Sequence, residues 1–181
     1  MSGTTPLRIP TRLITTHNAE GKAVFSTAFP DQAEMKPVGS GFFGLQYCSE
    51  EFPSQLSDDK DLKAYENYSA QPPGLVISSG TVLRTVDMGP GHVSPMHRTV
   101  SLDYGIVLEG EVELILDSGK TRAMKAGDIA IQRGTMHAWR NMSDTQWCRM
   151  IYVLTPSKPL EMNGTQLGEE LETMEGVRKS T

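Results

Sequence analysis

A chain of 181 residues with 38% hydrophobic and 22% charged residues has the composition of a folded domain of ordinary size, large enough to bury a core without disulfides or a structural metal. Its net charge of -5, from 17 Lys+Arg against 22 Asp+Glu, offers no basic footprint for nucleic acid. Two isolated cysteines, Cys48 and Cys148, are too few for a disulfide framework or a cysteine metal site, and both are expected as reduced thiols. The first residues, "MSGTTPLRIPTRL", hold no apolar signal-peptide core, and no stretch approaches the ~18 apolar residues of a membrane helix. A cytoplasmic protein is expected, with neither membrane nor nucleic acid as partner.

In chain order, "RLITTHNAEGKAVFS" places two β-rich runs around the turn residues Asn18 to Gly21, which predicts a hairpin with His17 at its edge as a turn or surface residue. "GSGFFGLQYCSEEFP" reads as a glycine-flanked strand, and the polar "DDKDLKAYENYS" as an excursion or short helix. From Ile77 the texture changes to short β runs separated by glycine turns: "GTVLRTVDMGPG", "YGIVLEGEVELILDSGK", "AGDIAIQRGTMHAWRN" and "WCRMIYVLTP". That succession predicts an antiparallel sandwich or barrel. The end, "GEELETMEGVRKST", suits a short acidic helix before a frayed terminus. The chain divides into residues 1–76, an arm and strands packing on the barrel, a barrel core over 77–155, and a tail over 156–181, all within a single domain.

Strand parity locates a candidate site. In "HRTVSLDYGIVLEGEVEL", an extended chain puts His97, Thr99, Ser101, Asp103 and Gly105 on one face and Arg98, Val100, Leu102 and Tyr104 on the other. An inward polar row is costly unless it is hydrogen-bonded or surrounds a ligand, so a cavity is expected there. In "GTMHAWRN", His137, Trp139 and Asn141 likewise share a face, and His97, Asp103 and His137 are expected to converge on one point. His92, in the loop "GPGHVSPMH", is a candidate proton carrier at the barrel mouth. Thr99, Trp139, Tyr104 and Arg84 are candidate substrate contacts, the last two depending on strand register.

These residues resemble the cupin superfamily, whose first motif reads G(X)5HXH(X)3-4E(X)6G. Here Gly91 precedes His97 by five intervening residues, Thr99 stands at the second histidine, Asp103 at the glutamate, and Gly110 closes the motif. Gly127, Gln132, Gly134, His137 and Asn141 follow the second motif, G(X)5PXG(X)2H(X)3N, with one residue deleted and glutamine for proline. Over most of its length the chain is similar to small single-domain cupins common in filamentous fungi, some encoded beside polyketide enzymes. The resemblance implies an all-β double-stranded β-helix, or jelly-roll barrel, with an N-terminal hairpin arm and short peripheral helices.

It also implies a metal centre built by His97, Asp103 and His137 around iron, manganese, nickel or zinc. Thr99 is a poor ligand, and aspartate withdraws its oxygens by about 1.5 Å against a coordination tolerance of ~0.2 Å. The same row therefore also reads as a hydrogen-bonded polar patch. The family spans many reactions, so the resemblance does not assign one. Because Thr99 and Asp103 weaken the ligand set more for oxygen activation than for Lewis-acid or hydrogen-bond catalysis, the reading is a lyase, a dehydratase or decarboxylase of an oxygenated polyketide-like molecule, with Asp103, His92 and His137 as catalytic groups. An iron-dependent dioxygenase and a non-catalytic small-molecule binder are the alternatives. A homodimer paired through the N-terminal arm is the expected assembly.

Overall fold

The computed structural model describes residues 4–171, 174 and 176–180. An N-terminal hairpin of β1 (Thr15–His17) and β2 (Ala23–Phe25) is followed by β3 (Met35–Val38), β4 (Gly41–Ser49) and the helix α1 (Lys60–Ala70). Then come β5 (Thr81–Met88), β6 (Ser101–Glu109), β7 (Glu111–Leu116), β8 (Thr121–Lys125), β9 (Ile129–Arg133), β10 (His137–Asn141) and β11 (Cys148–Pro156). A small hairpin of β12 (Leu160–Met162) and β13 (Thr165–Leu167) ends the series. Six strands form the larger sheet in the order β3-β4-β5-β11-β6-β9, and three form the smaller in the order β10-β7-β8. Bridges from Val93 to Arg140 and from His97 to His137 lay the 93–97 segment along the free side of β10. The result is the antiparallel jelly roll that the glycine-punctuated strands predict.

Period-two alternation decides what lies between the sheets. On β6, Ser101, Asp103, Gly105 and Val107 are buried, whereas Tyr104 and Leu108 are exposed. Gly105 is needed for a packing reason, because a Cβ there would stand 3.0 Å from the Tyr152 ring on the neighbouring β11. Gly110 turns the chain from the larger sheet into the smaller one at φ +79°, with the Cys148 Cβ only 2.8 Å from where its own Cβ would be. Val107, Val112, Cys148 and Met150 make an apolar core between the sheets, with Val86, Met88 and Trp139 packed on it and facing the cavity described below. A second apolar cluster packs α1, through Tyr65, and residues 75–77 against β4, β5 and β11. Tyr65 also donates to the Leu45 carbonyl at 3.0 Å, and Tyr47 to Asp61 of the helix at 2.5 Å.

The chain before β1 is strapped to the larger sheet. Arg149 on β11 donates from Nε and Nη2 to the two oxygens of Asp87 on β5, at 2.6 and 2.7 Å, both side chains being buried. Thr5 adds a bond to Asp87 at 2.5 Å, and Arg149 Nη1 reaches the Arg8 carbonyl at 2.6 Å. Arg12 continues the strap, donating to the carbonyls of Gln46 and Pro30 and to the Tyr65 hydroxyl.

Two expectations for the C-terminal segment are corrected. The acidic helix does not form among the described residues: Glu170 makes an antiparallel bridge with Arg98, and the remainder of that reading falls partly on residues 172, 173, 175 and 181, outside the described set. Residues 160–167 form a hairpin instead, turned by Asn163 and Gly164, both at positive φ. That is the Asn-Gly signature of a two-residue turn. Among the described residues no helix is long and apolar enough to cross a membrane.

Candidate active site

Beside the apolar core, the inward positions of both sheets turn polar, and a cavity of about 680 Å³ opens between them. Its walls carry His97, Thr99, Asp103, Gln132 and His137 at one end, with Trp139 and Tyr152 alongside. Polar residues occupy inward strand positions that a packed sandwich would give to apolar ones, so space remains where side chains do not interdigitate.

The two histidines meet because their backbones pair: His97 and His137 exchange N–H···O bonds of 2.9 Å each, and their rings lie 4.3 Å apart between centroids. The His97 Nδ1 lies 2.8 Å from the Pro95 carbonyl and the His137 Nδ1 2.9 Å from the Thr135 carbonyl. A carbonyl only accepts, so in each ring Nδ1 carries the proton and Nε2 keeps its lone pair. Burial, with the adjacent His97 adding to it, holds the His137 imidazole down at about 3. Burial also pushes His97 below its ordinary value. The pair is therefore neutral at physiological pH and offers two acceptors.

Asp103 is the counterpart on the larger sheet. Ser101 donates to Thr99 at 2.7 Å and Thr99 to Asp103 Oδ2 at 3.2 Å, while Asp103 Oδ1 is buried with no partner. Burial pushes its carboxyl up to about 6, against the opposing hydroxyls of Ser101 and Thr99. Gln132 stands directly across from Asp103 in the β6–β9 register. Its Oε1 accepts from Thr135 at 2.7 Å, which directs the amide, and its Nε2 is likewise buried without a partner. A free acceptor and a free donor thus face one cavity, an arrangement that native interiors leave open only for a ligand or water.

Of the other residues expected at the site, His92 lines the cavity at its half-buried rim, with Nδ1 against the Ser40 hydroxyl and its pKa lowered by burial. The fully buried Asn141 steadies that rim, its Nδ2 lying within 2.8–3.1 Å of the carbonyls of Met88, Gly89 and Gln146. Trp139 forms a wall, edge-on to His137 and to Tyr152. Arg84 lies at the cavity wall, buried. Tyr104 is a correction: at 39% exposure it sits on the outer face, because its parity is opposite to that of Asp103. His17 lies exposed on the hairpin, apart from the cavity. Gln132 and Tyr152 line the cavity in addition to the expected residues. A glutamine at an inward position of β9 was the available signal for the first, and nothing in the sequence distinguished the second from a core tyrosine.

The proposed metal ligands are also corrected. His97 belongs to the smaller sheet through its bridge to β10, whereas the chain has crossed to the larger sheet before Asp103. Among the described residues no three His, Cys, Asp or Glu side chains form a group able to hold a metal ion. Two imidazoles stand together, Thr99 occupies the place of a further histidine, and Asp103 is held by that threonine. This donor set does not fit a three-ligand centre.

A cupin-domain family model matches residues 84–154. The chain is 47% identical over 163 residues to the phomopsin biosynthesis cluster protein D of Diaporthe leptostromiformis, covering 90% of this chain and 86% of that one. It is 45% identical over 161 residues to the cupin-domain-containing oxidoreductase virC of Hypocrea virens, covering 87% and 81%. Among solved structures, the cupin domain of Schizosaccharomyces pombe Cnp3 superposes with a TM-score of 0.51 over 82% of this chain and 90% of that one, at 12% identity, a likeness of fold alone. With its jelly roll, its two motif segments and relatives of this identity and coverage, the chain belongs to the cupin superfamily, among small cupin-domain proteins like those of these fungi.

Proposed function

We propose that this protein is a lyase of secondary metabolism that dehydrates an oxygenated, polyketide-like small molecule inside the cavity. The observation that carries the reading is the pairing of two unsatisfied buried groups, Asp103 Oδ1 and Gln132 Nε2, across one wall. A carboxyl whose pKa is raised to about 6 suits proton transfer near neutral pH. Asp103 Oδ1 takes a proton from the carbon next to a substrate carbonyl, and the C–H electrons pass into an enolate whose oxygen accepts from Gln132 Nε2. The enolate then expels the β-hydroxyl, which leaves as water with the proton Asp103 has just acquired, so the carboxylate is restored. The Nε2 atoms of His97 and His137 accept from a substrate hydroxyl and orient it, Trp139 backs a planar portion, and His92 guards the rim. Decarboxylation would use the same oxyanion donor.

The test starts from the metabolite that accumulates in a strain lacking the gene. Purified protein is expected to convert it without oxygen to a product lighter by one water or one carbon dioxide. Oxygen uptake coupled to product would overturn the lyase reading in favour of an oxidoreductase, the activity in the printed name of the Hypocrea virens relative. Metal analysis of the active protein accompanies either result. Ligand binding without turnover would leave a non-catalytic binder.

Self-association through the N-terminal hairpin is part of the proposal. Val24 and Phe25 on β2, and Leu13 just before β1, are exposed apolar side chains on a two-stranded arm. Light scattering at micromolar concentration is expected to give a dimer, and Phe25→Ser to shift it toward monomer. A monomeric wild type would refute this part.

A further inference from the structure

Arg84, on β5, is only 7% exposed and lines the cavity wall. Among the described residues its guanidinium makes one hydrogen bond, from Nη2 to the Gly74 carbonyl at 2.8 Å, and its buried Nε has no partner. The Phe43 ring covers one face at 5.7 Å. Among the described residues, no carboxylate is paired with it. Burial pushes the Cys48 thiol up to about 12 in spite of the arginine's field, and holds the Tyr152 phenol well above its ordinary range, so both are neutral. Asp87, the carboxylate on the same strand, is committed to Arg149 and Thr5. Burial draws Arg84 itself down to about 10, which leaves it cationic at neutral pH. A buried cation with no counter-charge among the described residues is costly, and this one lines a cavity.

We propose that Arg84 anchors a carboxylate, and that the ligand of this cavity is an organic acid with an apolar or aromatic body whose far end reaches the part of the wall carrying His97, His137 and Asp103. Among the described residues the cavity lining holds no lysine and no second arginine, which suits a single negative charge rather than a phosphate. The planar fork of a guanidinium matches a carboxylate in two parallel bonds. Between Arg84 and the reacting end the wall is apolar or aromatic, with Phe43, Val86, Leu154 and Trp139. In the sheet order β5-β11-β6, two strand spacings and a register offset of two residues, roughly 12 Å between backbones, separate Arg84 from Asp103, so the anchored carboxylate is not the reacting group. The identity of the reacting end rests on the lyase reading; the anchor does not.

The probes are 4-phenylbutanoate and its uncharged amide, titrated calorimetrically at pH 7 into the full chain. The acid is expected to bind at least about tenfold more tightly than the amide, Arg84→Gln to abolish that preference, and Arg84→Lys to keep part of it. His137→Ala is expected to lose turnover and keep the preference, which separates failure of the anchor from failure of the lyase reading. Equal binding of acid and amide, no binding of the acid, or a preference that survives Arg84→Gln overturns the proposal. So does loss of the preference in His137→Ala, since the anion would then sit at the histidines. If Arg84→Gln does not fold by circular dichroism, the wild-type ratio and Arg84→Lys decide.

Discussion

Two aspartate–arginine sets lie buried in the larger sheet, and their contrast separates architecture from function. Asp87 and Arg149 satisfy each other through two short bonds, and Thr5 and the Arg8 carbonyl take up further capacity. Asp103 and Arg84 are equally buried but have one side-chain bond to Thr99 and one to a backbone carbonyl, with Asp103 Oδ1 and Arg84 Nε unpartnered. Their proton affinities diverge accordingly: the bonds Arg149 donates to Asp87 raise the Arg149 pKa, while burial lowers that of Arg84. A buried charge matched inside the chain fixes the strap to the sheet. One left unmatched at a cavity wall awaits a partner from outside.

Removing one member of each set should break the molecule in different ways. Asp87→Ala strips the buried Arg149 of both short carboxylate bonds, leaving it the Arg8 carbonyl and the half-exposed Glu109 at 3.6 Å, and unfastens Thr5, so it should cost about 3 kcal/mol in urea unfolding at pH 7. Asp103→Asn should fold at least as stably as wild type at that pH, while its turnover falls on the order of 10²–10⁴-fold, the loss expected for a general acid–base group. Comparable destabilisation by both substitutions would erase the distinction.

Titration sharpens the same contrast. The folded pKa of Asp103, about 6, lies above its ordinary 3.8, so the folded state holds its proton more tightly than the unfolded chain does. Stability from this group is therefore full at low pH and is lost as pH rises from about 4 through 6, on the order of 2–3 kcal/mol. Wild type and Asp103→Asn, unfolded in urea at pH 4 and pH 7, should differ in the asparagine variant's favour by that amount more at pH 7; a constant difference would refute the assignment. His137 has the opposite sign. Its folded pKa of about 3 lies below 6.5, so its stabilising effect is present above pH 6.5 and lost as pH falls. His137→Asn should accordingly be less acid-sensitive than wild type between pH 6.5 and 4.

Much of this was legible in the residues. Alternation along 97–105 correctly turned Thr99, Ser101 and Asp103 inward, because side-chain parity is set by the extended backbone alone. The same alternation puts Tyr104 outside, so its candidacy as a substrate contact conflicted with the parity of its own segment. Parity carries no information on which sheet a strand joins, and the crossing between His97 and Ser101 is why the expected metal ligands divide between the two sheets. Whether Asp103 Oδ1 and Gln132 Nε2 find partners depends on cross-strand register, which pattern alone does not supply. The Asn163-Gly164 turn, by contrast, is legible in the sequence as an Asn-Gly hairpin signal within 156–181.

The smallest effect expected concerns the bond that Thr99 donates to Asp103. Thr99→Val keeps the volume of a β-branched residue at a position only 2% exposed and removes the hydroxyl that links Ser101 to Asp103 Oδ2. The Thr99 bond favours the ionised carboxylate, so its loss should raise the Asp103 pKa further, and at 3.2 Å the bond is long enough that the rise should be about one pH unit. Activity that depends on ionised Asp103 should then show its acid limb displaced upward by that amount, with the plateau above it reduced by much less than in Asp103→Asn. Thr99→Ser, which keeps a hydroxyl, should restore the wild-type limb. The carboxyl titration can also be followed directly by carbon NMR, with no need of substrate. An unmoved limb in the valine variant, or a displacement the serine variant fails to reverse, would mean that Thr99 serves packing alone and that desolvation, opposed by the Ser101 hydroxyl, sets the proton affinity of Asp103.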